Sequence, residues 1–380
     1  LRDFYKCTRT GDEIIVDAQR GEVILNPLPT TIEQYKFTIS TSESAQEKSG
    51  TGPVVTANGV TIALRANVEL PAEFDAVRRF GACGVGLFRS DFLLSRPGML
   101  LSEDEQFEAY KTLAEATEPD GAIIRLFDLG GETGYELSER PERNPALGLR
   151  AIRFGLKNEQ VMRSQVRAIL RAARFGNLRL VIPMVADVSD VIRAKRVIDE
   201  ERDSLRRAGV ECGEVMVGAM IEIPSAVLTA EKIAKEVDFF ELGTNDLVQY
   251  TLAVDRGNDA VSDWFRTLHP AVLFGINRTL QVAKEAEIPA IVCGEMASTP
   301  AYVVLLVGMG AVDLSMTPAA IPRVRATLSE IDTSEAAQLA AKSLDCATAD
   351  EVEEIVRREF KNRWPAVFHL KSLPAEPAAG

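Results

Sequence analysis

Histidine is almost absent from this sequence of 380 residues, which contains only His269 and His369. Imidazole titrates near neutral pH and is the commonest metal ligand, so chemistry that needs several histidines is excluded. The five cysteines are odd in number, widely scattered and form no CxxC pair. They predict neither a disulfide framework nor a zinc site, and they favour a reducing, cytoplasmic environment.

Positive charge and long apolar runs are also scarce. Lys and Arg number 43 against 56 Asp and Glu, giving a net charge of −13, which argues against nucleic-acid binding and against an anionic membrane surface. No apolar run reaches the roughly 18 to 20 residues of a membrane span, and the N-terminus is unlike a signal peptide. A hydrophobic content of 46% predicts a soluble globular chain with one large domain and a small appendage.

The N-terminal part differs in composition from the rest. Residues 13–25 contain two β-rich runs around Gly21, which predict a hairpin too small to bury its own core. We assign residues 1–27 to the remnant of an upstream domain, and the start at Leu1 suggests a fragment. Residues 28–57 have linker composition with a helical stretch near 32–35. A large domain is predicted over 58–370, followed by a frayed tail at 371–380.

Short apolar strands alternate with amphipathic helical patterns after residue 57. Helix signals include a capping box at Ser102 and Glu105 and the long run at 190–207. Eight such units predict an α/β fold, a parallel (β/α)₈ TIM barrel. A doubly wound open sheet is the alternative, although no GxGxxG follows an early strand. The predicted strands are Val60–Ala66, Gly84–Phe88, Ala122–Phe127, Leu178–Met184, Val215–Ile221, Phe239–Gly243, Ala290–Val292 and Val312–Met316.

Polar or reactive residues stand where several of these strands end, and in TIM barrels the carboxyl ends of the strands build the active site. Taken singly, each has an ordinary structural interpretation: a rim arginine, a helix cap or an inert buried thiol. A carboxylate ending an apolar strand is harder to explain unless it is paired or bound to a metal. Together they favour one site at the barrel mouth. The residues are Arg89, Arg125, Glu222, Asn245, Asp246 and Cys293.

This set suits metal-assisted phosphoryl or enolate chemistry. Glu222 and Asp246 can hold one Mg²⁺ while leaving positions open for substrate oxygens and water. Guanidinium groups of Arg89, Arg125 and Arg256 offer forked donors for phosphate and carboxylate, and Cys293 can donate or accept a proton. The expected ligand is a small dianionic or trianionic acid, whose identity the pattern leaves open.

Several segments resemble the phosphoenolpyruvate-utilising enzymes and, within that family, the Enzyme I group of the bacterial sugar phosphotransferase system. They cover nearly the whole predicted barrel, and the segment at 236–258 is the most specific. The hairpin segment VDAQRGEVILNP at 16–27 resembles the end of that family's swivelling phosphohistidine domain. The barrel segments are GVGLFRSDFLL (84–94), IIRLFDLGGE (123–132), NPALGLRAIR (144–153), MIEIPSA (220–226), EVDFFELGTNDLVQYTLAVDRGN (236–258) and VCGEMA (292–297).

The resemblance implies a role for each site residue. Arg89, Arg125 and Arg256 would grip the phosphate and carboxylate of phosphoenolpyruvate, and Asn245 would contact the phosphate. Glu222 and Asp246 would bind Mg²⁺, and Cys293 would protonate the enolate to give pyruvate. The phosphoryl group would pass to a histidine of the swivelling domain and then to a histidine phosphocarrier protein. A homodimer formed through the barrel is also implied.

The sequence departs from the family pattern at a few positions. Ser90-Asp91 replaces the usual Thr-Glu, Thr133 replaces an expected lysine, and Glu241 stands where a small residue is usual, which is expected to alter the charge near the mouth. No histidine precedes His269, so the accepting histidine is expected to be absent from this chain. His269 is predicted to cap or pack at a helix start, and His369 falls in the polar C-terminal region.

Two other functions remain open at this point. The chain could be a phosphoenolpyruvate-sensing and dimerisation module without catalysis, or a pyruvate-enolate lyase that uses the same arginine and Mg²⁺ chemistry. The segment at 236–258 and Cys293 disfavour the lyase. Pyruvate phosphate dikinase and phosphoenolpyruvate synthase share the barrel but need a nucleotide-binding domain, for which no glycine-rich phosphate loop is visible.

Overall fold

Eight parallel strands close into a barrel in the computed structural model, which describes residues 7–17, 22–36, 50–96, 99–130 and 142–365. The barrel follows the order β4-β5-β8-β9-β10-β11-β12-β13, and β13 pairs with β4 to complete the circle. The strands, numbered along the chain, are β1 Ile14–Asp17, β2 Glu22–Leu25, β3 Val54–Val55, β4 Thr61–Val68, β5 Val85–Phe88, β6 Leu94–Arg96, β7 Met99–Leu100, β8 Ala122–Arg125, β9 Leu178–Ile182, β10 Met216–Ile221, β11 Phe239–Gly243, β12 Ala290–Cys293 and β13 Asp313–Met316.

Helices follow the barrel strands and form an outer layer. The α-helices for which bounds are defined are Phe74–Arg79, Glu103–Thr117, Ala151–Lys157, Glu159–Ala172, Val188–Arg207, Pro224–Leu228, Ala230–Ile233, Thr244–Leu252, Pro270–Glu285, Pro300–Gly308, Ile321–Glu330, Thr333–Leu344 and Ala349–Arg363. Short 3₁₀ turns occur at Pro71–Glu73, Ser90–Phe92, Pro145–Leu147, Ala173–Phe175, Asp259–Trp264, Glu295–Ser298 and Pro318–Ala320. No helix in the described ranges is long and apolar enough to cross a membrane.

The predicted TIM barrel is confirmed, and the open sheet is excluded by the pairing of β13 with β4. Each of the eight predicted strands overlaps an observed one, with ends that differ by a few residues. Strand β9 stops at Ile182 rather than at 184 because Pro183 has no N–H to continue the ladder. The hairpin of β6 and β7 was not predicted.

The described residues form two compact units, one that ends at Gly50 and one that begins at Thr51. The first contains the antiparallel hairpin of β1 and β2, in which Ile14 pairs with Leu25, and residues 29–36 are helical. The second contains the barrel and begins at Thr51, whereas the sequence placed the boundary at 57. The assignment of 1–27 and 28–57 to a domain remnant and a linker stays a prediction. The tail at 371–380 lies outside the described residues.

Alternation along each strand places one set of side chains inside the barrel. Six strands contribute to one buried cluster, which consists of Leu87, Ile123, Val181, Met220, Phe239, Ile291 and Cys293. Such a layered interior is a packed core and not a pore. Each large apolar side chain contributes about 1.5–3 kcal/mol by leaving water, so the interior stabilises the frame on which the strand ends stand.

Helix starts behave as the sequence predicts. Ser102 Oγ accepts a hydrogen bond from the backbone N–H of Glu105 at 3.4 Å, and the Glu105 carboxylate accepts from Ser102 N at 2.8 Å, forming the predicted capping box. His269 caps the helix Pro270–Glu285, with Nδ1 accepting from Ala271 N at 3.2 Å. The capping role of His269 is thus confirmed, whereas His369 lies outside the described residues.

Candidate functional site

The carboxyl ends of the barrel strands surround a cavity of about 350 Å³. The lining includes all seven residues that the sequence singled out: Arg89, Arg125, Glu222, Asn245, Asp246, Arg256 and Cys293. Six come from the ends of β5, β8, β10 and β12 or from the first turn after β11, as expected for a TIM barrel site. Arg256 comes from the loop after the helix Thr244–Leu252. The geometry therefore brings the residues together, while their individual roles stay predictions.

Arg89 and Arg125 follow or end neighbouring strands. Arg89 is one-third exposed and its Nη1 lies 2.9 Å from Glu69 Oε1. Arg125 is buried, contacts Asp91, and lies 3.1 Å from Asp128 through Nη1. In both arginines the Nε is buried and has no acceptor among the described residues. Because an unpaired buried donor is costly, these groups are suited to receive an anionic ligand.

An inner ion-pair network surrounds Arg125, and the sequence analysis assigned no role to two of its members, Asp128 and Arg150. Arg150 donates to both oxygens of Asp128, at 2.9 and 2.6 Å, and to the Tyr250 hydroxyl at 2.8 Å. Burial alone would raise the pKa of Asp128, but Arg125 and Arg150 hold it below its usual value. Burial alone would lower the pKa of Arg125, but Asp91 and Asp128 raise it.

A signal for these additional residues was present in the sequence. Asp128 follows strand β8 by three residues, and Arg150 opens the helix Ala151–Lys157 as its N-cap. Both stand in segments already recognised by resemblance. Apart from Arg256, only polar residues at or directly after a strand end were treated as candidates, so residues a few positions further along the loop were missed. Asp91 was noted as a departure from the family pattern, but no contact was predicted for it.

Glu222 and Asp246 form a pair of buried carboxylates. Glu222, directly after β10, is 1% exposed, and its Oε1 accepts from Met184 N at 2.5 Å. Burial, together with the charges of Asp246 and Asp128, raises the pKa of Glu222 to about 8. Two neighbouring carboxylates repel each other, and a divalent cation placed between them would remove this repulsion.

The donor set fits Mg²⁺ better than a metal held wholly by protein. No group of three or more His, Cys, Asp or Glu side chains suited to a metal ion occurs within the residues that the structure describes. Mg²⁺ usually keeps several waters and is held by one or two carboxylates together with substrate oxygens. Glu222 and Asp246 match this requirement. The counter-charges near Asp246 are Arg150 at 3.5 Å and Arg256 at 3.8 Å.

Two glycines create the space that this arrangement needs. A Cβ on Gly243 would lie 2.7 Å from Glu222 Oε2, so a side chain here would displace that carboxylate. Gly294 has a φ of +96°, and a Cβ on it would lie 2.2 Å from the Thr244 hydroxyl. Thr244 in turn donates to the Cys293 carbonyl at 2.8 Å. The turns after β11 and β12 are therefore locked together at the mouth.

Asn245 also joins these two turns. Its Oδ1 accepts from the backbone N–H of Glu295 at 3.1 Å, and the side chain is half-buried. A larger cavity of about 900 Å³ adjoins the first and shares Arg89, Asn245, Arg256 and Gly294 with it. The site thus opens onto a space large enough for a second group to approach these side chains.

Cys293 ends β12 inside the mouth, 2% exposed, and its Sγ donates to the Leu242 carbonyl at 3.2 Å. Burial raises the pKa of this thiol well above its usual value, and the charge of Glu241 raises it further. Glu241 is fully buried on the inner face of β11 and does not line the cavity. The expected change of charge at the mouth is therefore corrected: the extra carboxyl lies within the barrel, below the site.

Thr133 lies outside the described residues. Ser90 and Asp91, by contrast, are described. The Ser90 hydroxyl donates to the Arg125 carbonyl at 2.7 Å, and Asp91 accepts from Asp128 N at 2.5 Å. The shorter Asp91 side chain therefore still reaches the arginine network.

A family profile described as "PEP-utilising enzyme, PEP-binding domain" matches residues 43–333. Proteins named phosphoenolpyruvate-protein phosphotransferase match 93% of this chain: those of Bacillus sp. (strain S) and Geobacillus stearothermophilus at 38% identity over 357 residues, and that of Bacillus subtilis (strain 168) at 37% over 358 residues.

This chain spans only part of those relatives, covering 62% of the length of the first two and 63% of the third. Among solved structures, a citrate lyase from Burkholderia xenovorans LB400 matches with a TM-score of 0.47 at 14% identity, over 83% of this chain and 94% of that one.

Proposed function

Because the chain belongs to the PEP-utilising enzymes and contains their PEP-binding domain, we propose that it binds phosphoenolpyruvate with Mg²⁺ and serves as the catalytic half of a phosphoenolpyruvate-protein phosphotransferase. The observation that carries this proposal is the convergence of the seven singled-out residues on one cavity of about 350 Å³. These residues lie far apart in the sequence and come together only in the folded barrel.

The arginines bind the anionic substrate in this proposal. Arg89 and Arg125 offer a buried Nε each, and Arg256 approaches from the facing loop, so forked donors reach the ligand from different sides. Asn245 contacts the phosphate. Asp128 and Arg150 keep Arg125 charged and oriented through their ion pairs. Phosphoryl transfer depends mostly on such positioning and charge neutralisation.

Glu222 and Asp246 would hold Mg²⁺ with their carboxylates. When bound, the metal supplies positive charge that neutralises the phosphate and enolate oxygens of the substrate. Met184 N–H fixes one oxygen of Glu222, which leaves the other directed toward Gly243 and the cavity. The absence of a side chain at Gly243 permits this orientation.

Cys293 would donate the proton that converts the enolate to pyruvate. Its raised pKa keeps the thiol protonated at neutral pH, which is the state that a general acid needs. The phosphoryl acceptor is proposed to be a histidine outside this chain, since His269 caps a helix through its own Nδ1. A histidine phosphocarrier protein as the next acceptor, assembly as a homodimer, a role in sugar transport and a cytoplasmic location complete the proposal.

The test is incubation of the chain with phosphoenolpyruvate carrying a labelled phosphate, in the presence of Mg²⁺. We expect metal-dependent binding by calorimetry but no stable, acid-labile label on the chain. Pyruvate should be released when the histidine-bearing domain of a relative is added separately. Label that appears on the chain and disappears in His269→Ala or His369→Ala would refute the assignment of the acceptor. A chain that does not bind phosphoenolpyruvate at all would refute the function.

The same experiment distinguishes the two other candidate functions. A sensing and dimerisation module would bind phosphoenolpyruvate but release no pyruvate with any added histidine domain. A pyruvate-enolate lyase would turn over a carbon–carbon bond and would not need the phosphoryl group. Release of pyruvate only when both the phosphoryl donor and the histidine domain are present supports the phosphotransferase.

A further inference from the structure

Glu241 is a buried carboxylic acid to which the proposed function assigns no role. It lies in the middle of β11, where alternation places it on the inner face between Phe239 and Gly243. It is 0% exposed, and its carboxyl oxygens form no hydrogen bond of regular geometry among the described residues, while the Cys293 thiol lies near enough to act on the pKa of Glu241 as a hydrogen-bonding neighbour. A buried polar group without a partner is costly, so its retention calls for an explanation.

The position of Glu241 relates it to Cys293. In the pairing of β11 with β12, Gly243 is opposite Cys293 and Glu241 is opposite Ile291. Glu241 therefore lies one interior layer below the thiol, on the neighbouring strand. The Cys293 Sγ already points to the Leu242 carbonyl, in the backbone immediately after Glu241.

We propose that Glu241 stores the proton that restores Cys293 to its thiol form after Cys293 has protonated the substrate. This inference rests on the function proposed above, because it requires Cys293 to be the proton donor. When the Sγ–H bond breaks and a C–H bond forms on the enolate, the thiolate remains. The Oε–H bond of Glu241 then breaks, a new Sγ–H bond forms, and Glu241 becomes a carboxylate. After pyruvate leaves, the proton returns through Cys293, which lines the cavity: its thiol gives a proton to the Glu241 carboxylate and takes a new one from solvent.

The surroundings of Glu241 allow both its protonated and its ionised form. Burial raises the pKa of Glu241 to about 8, which is above its ordinary value but below that of the buried thiol, so transfer from carboxyl to thiolate runs downhill. After transfer, the positive charges of Arg125 and Arg65, on strands further round the barrel, favour the new carboxylate charge. The ionisable groups that act on Glu241 are Cys293 of β12, Arg125 of β8, Asp313 of β13 and Arg65 of β4.

Exchange of the pyruvate methyl protons in deuterium oxide tests the relay with this chain alone. In that reaction the steps reverse: the Cys293 thiol gives its proton to the Glu241 carboxylate, and the resulting thiolate takes a proton from the pyruvate methyl group. The Cys293 thiol, which lines the cavity, exchanges its proton with solvent deuterium before it returns one to the enolate. With Mg²⁺ and pyruvate, proton NMR should show exchange in the unaltered chain, none in Cys293→Ala, and a rate lower by about tenfold or more in Glu241→Gln. Glu201→Gln removes a buried carboxylate on an outer helix and should leave the rate unchanged.

A second measurement does not depend on catalysis. Alkylation of Cys293 by iodoacetamide, followed by mass spectrometry of the peptide against pH, reports the pKa of this thiol. Because the Glu241 charge opposes formation of the thiolate, the midpoint should fall by roughly one pH unit in Glu241→Gln. If the glutamine variant does not fold, Glu241→Ala replaces it with the same two expectations.

The outcomes separate the two proposals. Full exchange in Glu241→Gln, with exchange lost in Cys293→Ala, would overturn the relay and leave the proposed function intact. No exchange in the unaltered chain would count against the proposed role of Cys293. The alkylation midpoint alone would then test whether the Glu241 charge acts on the pKa of the Cys293 thiol. An unchanged midpoint would overturn the relay and leave Glu241 as a charge partner of the arginines inside the barrel.

Discussion

The buried position of Glu241 makes a prediction about folding stability that can be measured without substrate. We expect the unaltered chain to lose stability relative to Glu241→Gln as the pH rises from 5 to 8. Burial raises the pKa of Glu241 from 4.5 to about 8 in the folded chain. Between those values the folded state binds a proton that the unfolded state has released, so stability falls with rising pH. Glutamine has nearly the same shape and no such proton.

The magnitude follows from the two pKa values. Their difference corresponds to about 5 kcal/mol at full extent, since one pKa unit corresponds to about 1.4 kcal/mol. About 4 kcal/mol of this falls between pH 5 and pH 8, because the stabilisation is complete below 4.5 and is lost as the pH passes through about 8. Relaxation around Glu241 and entry of water would make the measured loss smaller.

Urea denaturation at several pH values provides the measurement, with the free energy of unfolding compared between the unaltered chain and Glu241→Gln. Taking the difference removes contributions from other groups, such as Asp313, that both proteins share. Glu201→Gln replaces a buried carboxylate on an outer helix and serves as the control. The difference in free energy of unfolding between the unaltered chain and Glu201→Gln should not show the fall with pH that is expected for Glu241→Gln. A difference for Glu241→Gln that stays constant within about 0.5 kcal/mol from pH 5 to pH 8 would falsify the reasoning.

Three further outcomes are expected. Glu222→Ala and Asp246→Ala should each nearly abolish metal-dependent phosphoenolpyruvate binding in calorimetry, because the remaining carboxylate faces an anion without its cation at a cost of several kcal/mol; unchanged binding contradicts the metal assignment. Arg89→Lys should weaken phosphoenolpyruvate binding about ten- to a hundredfold, since the point charge of lysine cannot replace the forked donors of a guanidinium group. Arg266→Lys, at an equally exposed and ion-paired arginine, should leave binding unchanged, and equal effects of the two substitutions would reject a ligand role for Arg89. His269→Ala should lower the free energy of unfolding by about 1 kcal/mol through loss of the helix cap, with binding unchanged, and altered binding would show that His269 does more than cap.

The fold was predictable because two periodicities were visible together. Short apolar runs such as FFELG at 239–243 marked buried strands, and the helical patterns between them marked crossovers. The rule that sites form at the carboxyl ends of barrel strands then selected Arg89, Glu222 and Cys293 without any knowledge of distances. Local sequence was sufficient here because each of these residues stands directly at the end of its strand.

The inner ion-pair network was not predictable for a physical reason. Arg150 reaches Asp128 from 22 positions further along the chain, across a loop whose path depends on tertiary packing. Nothing in the local pattern of NPALGLRAIR distinguishes an arginine directed into the site from one that caps a helix. The expectation that Glu241 changes the charge at the mouth was wrong for a simpler reason. The alternation of Phe239, Glu241 and Gly243 along β11 already places all three on the inner face, and this alternation was not used.

The charges around the cavity explain why a metal ion belongs to the proposed function. Four arginines line it, and four carboxylates oppose them, so the lining is close to neutral when every group is ionised. With every group ionised, a small acid with two or three negative charges gains little net attraction from this lining, because the four carboxylates offset the four arginines. A divalent cation between Glu222 and Asp246 would change that balance by two charges at the point where the acid enters. The eight residues are Arg89, Asp91, Arg125, Asp128, Arg150, Glu222, Asp246 and Arg256.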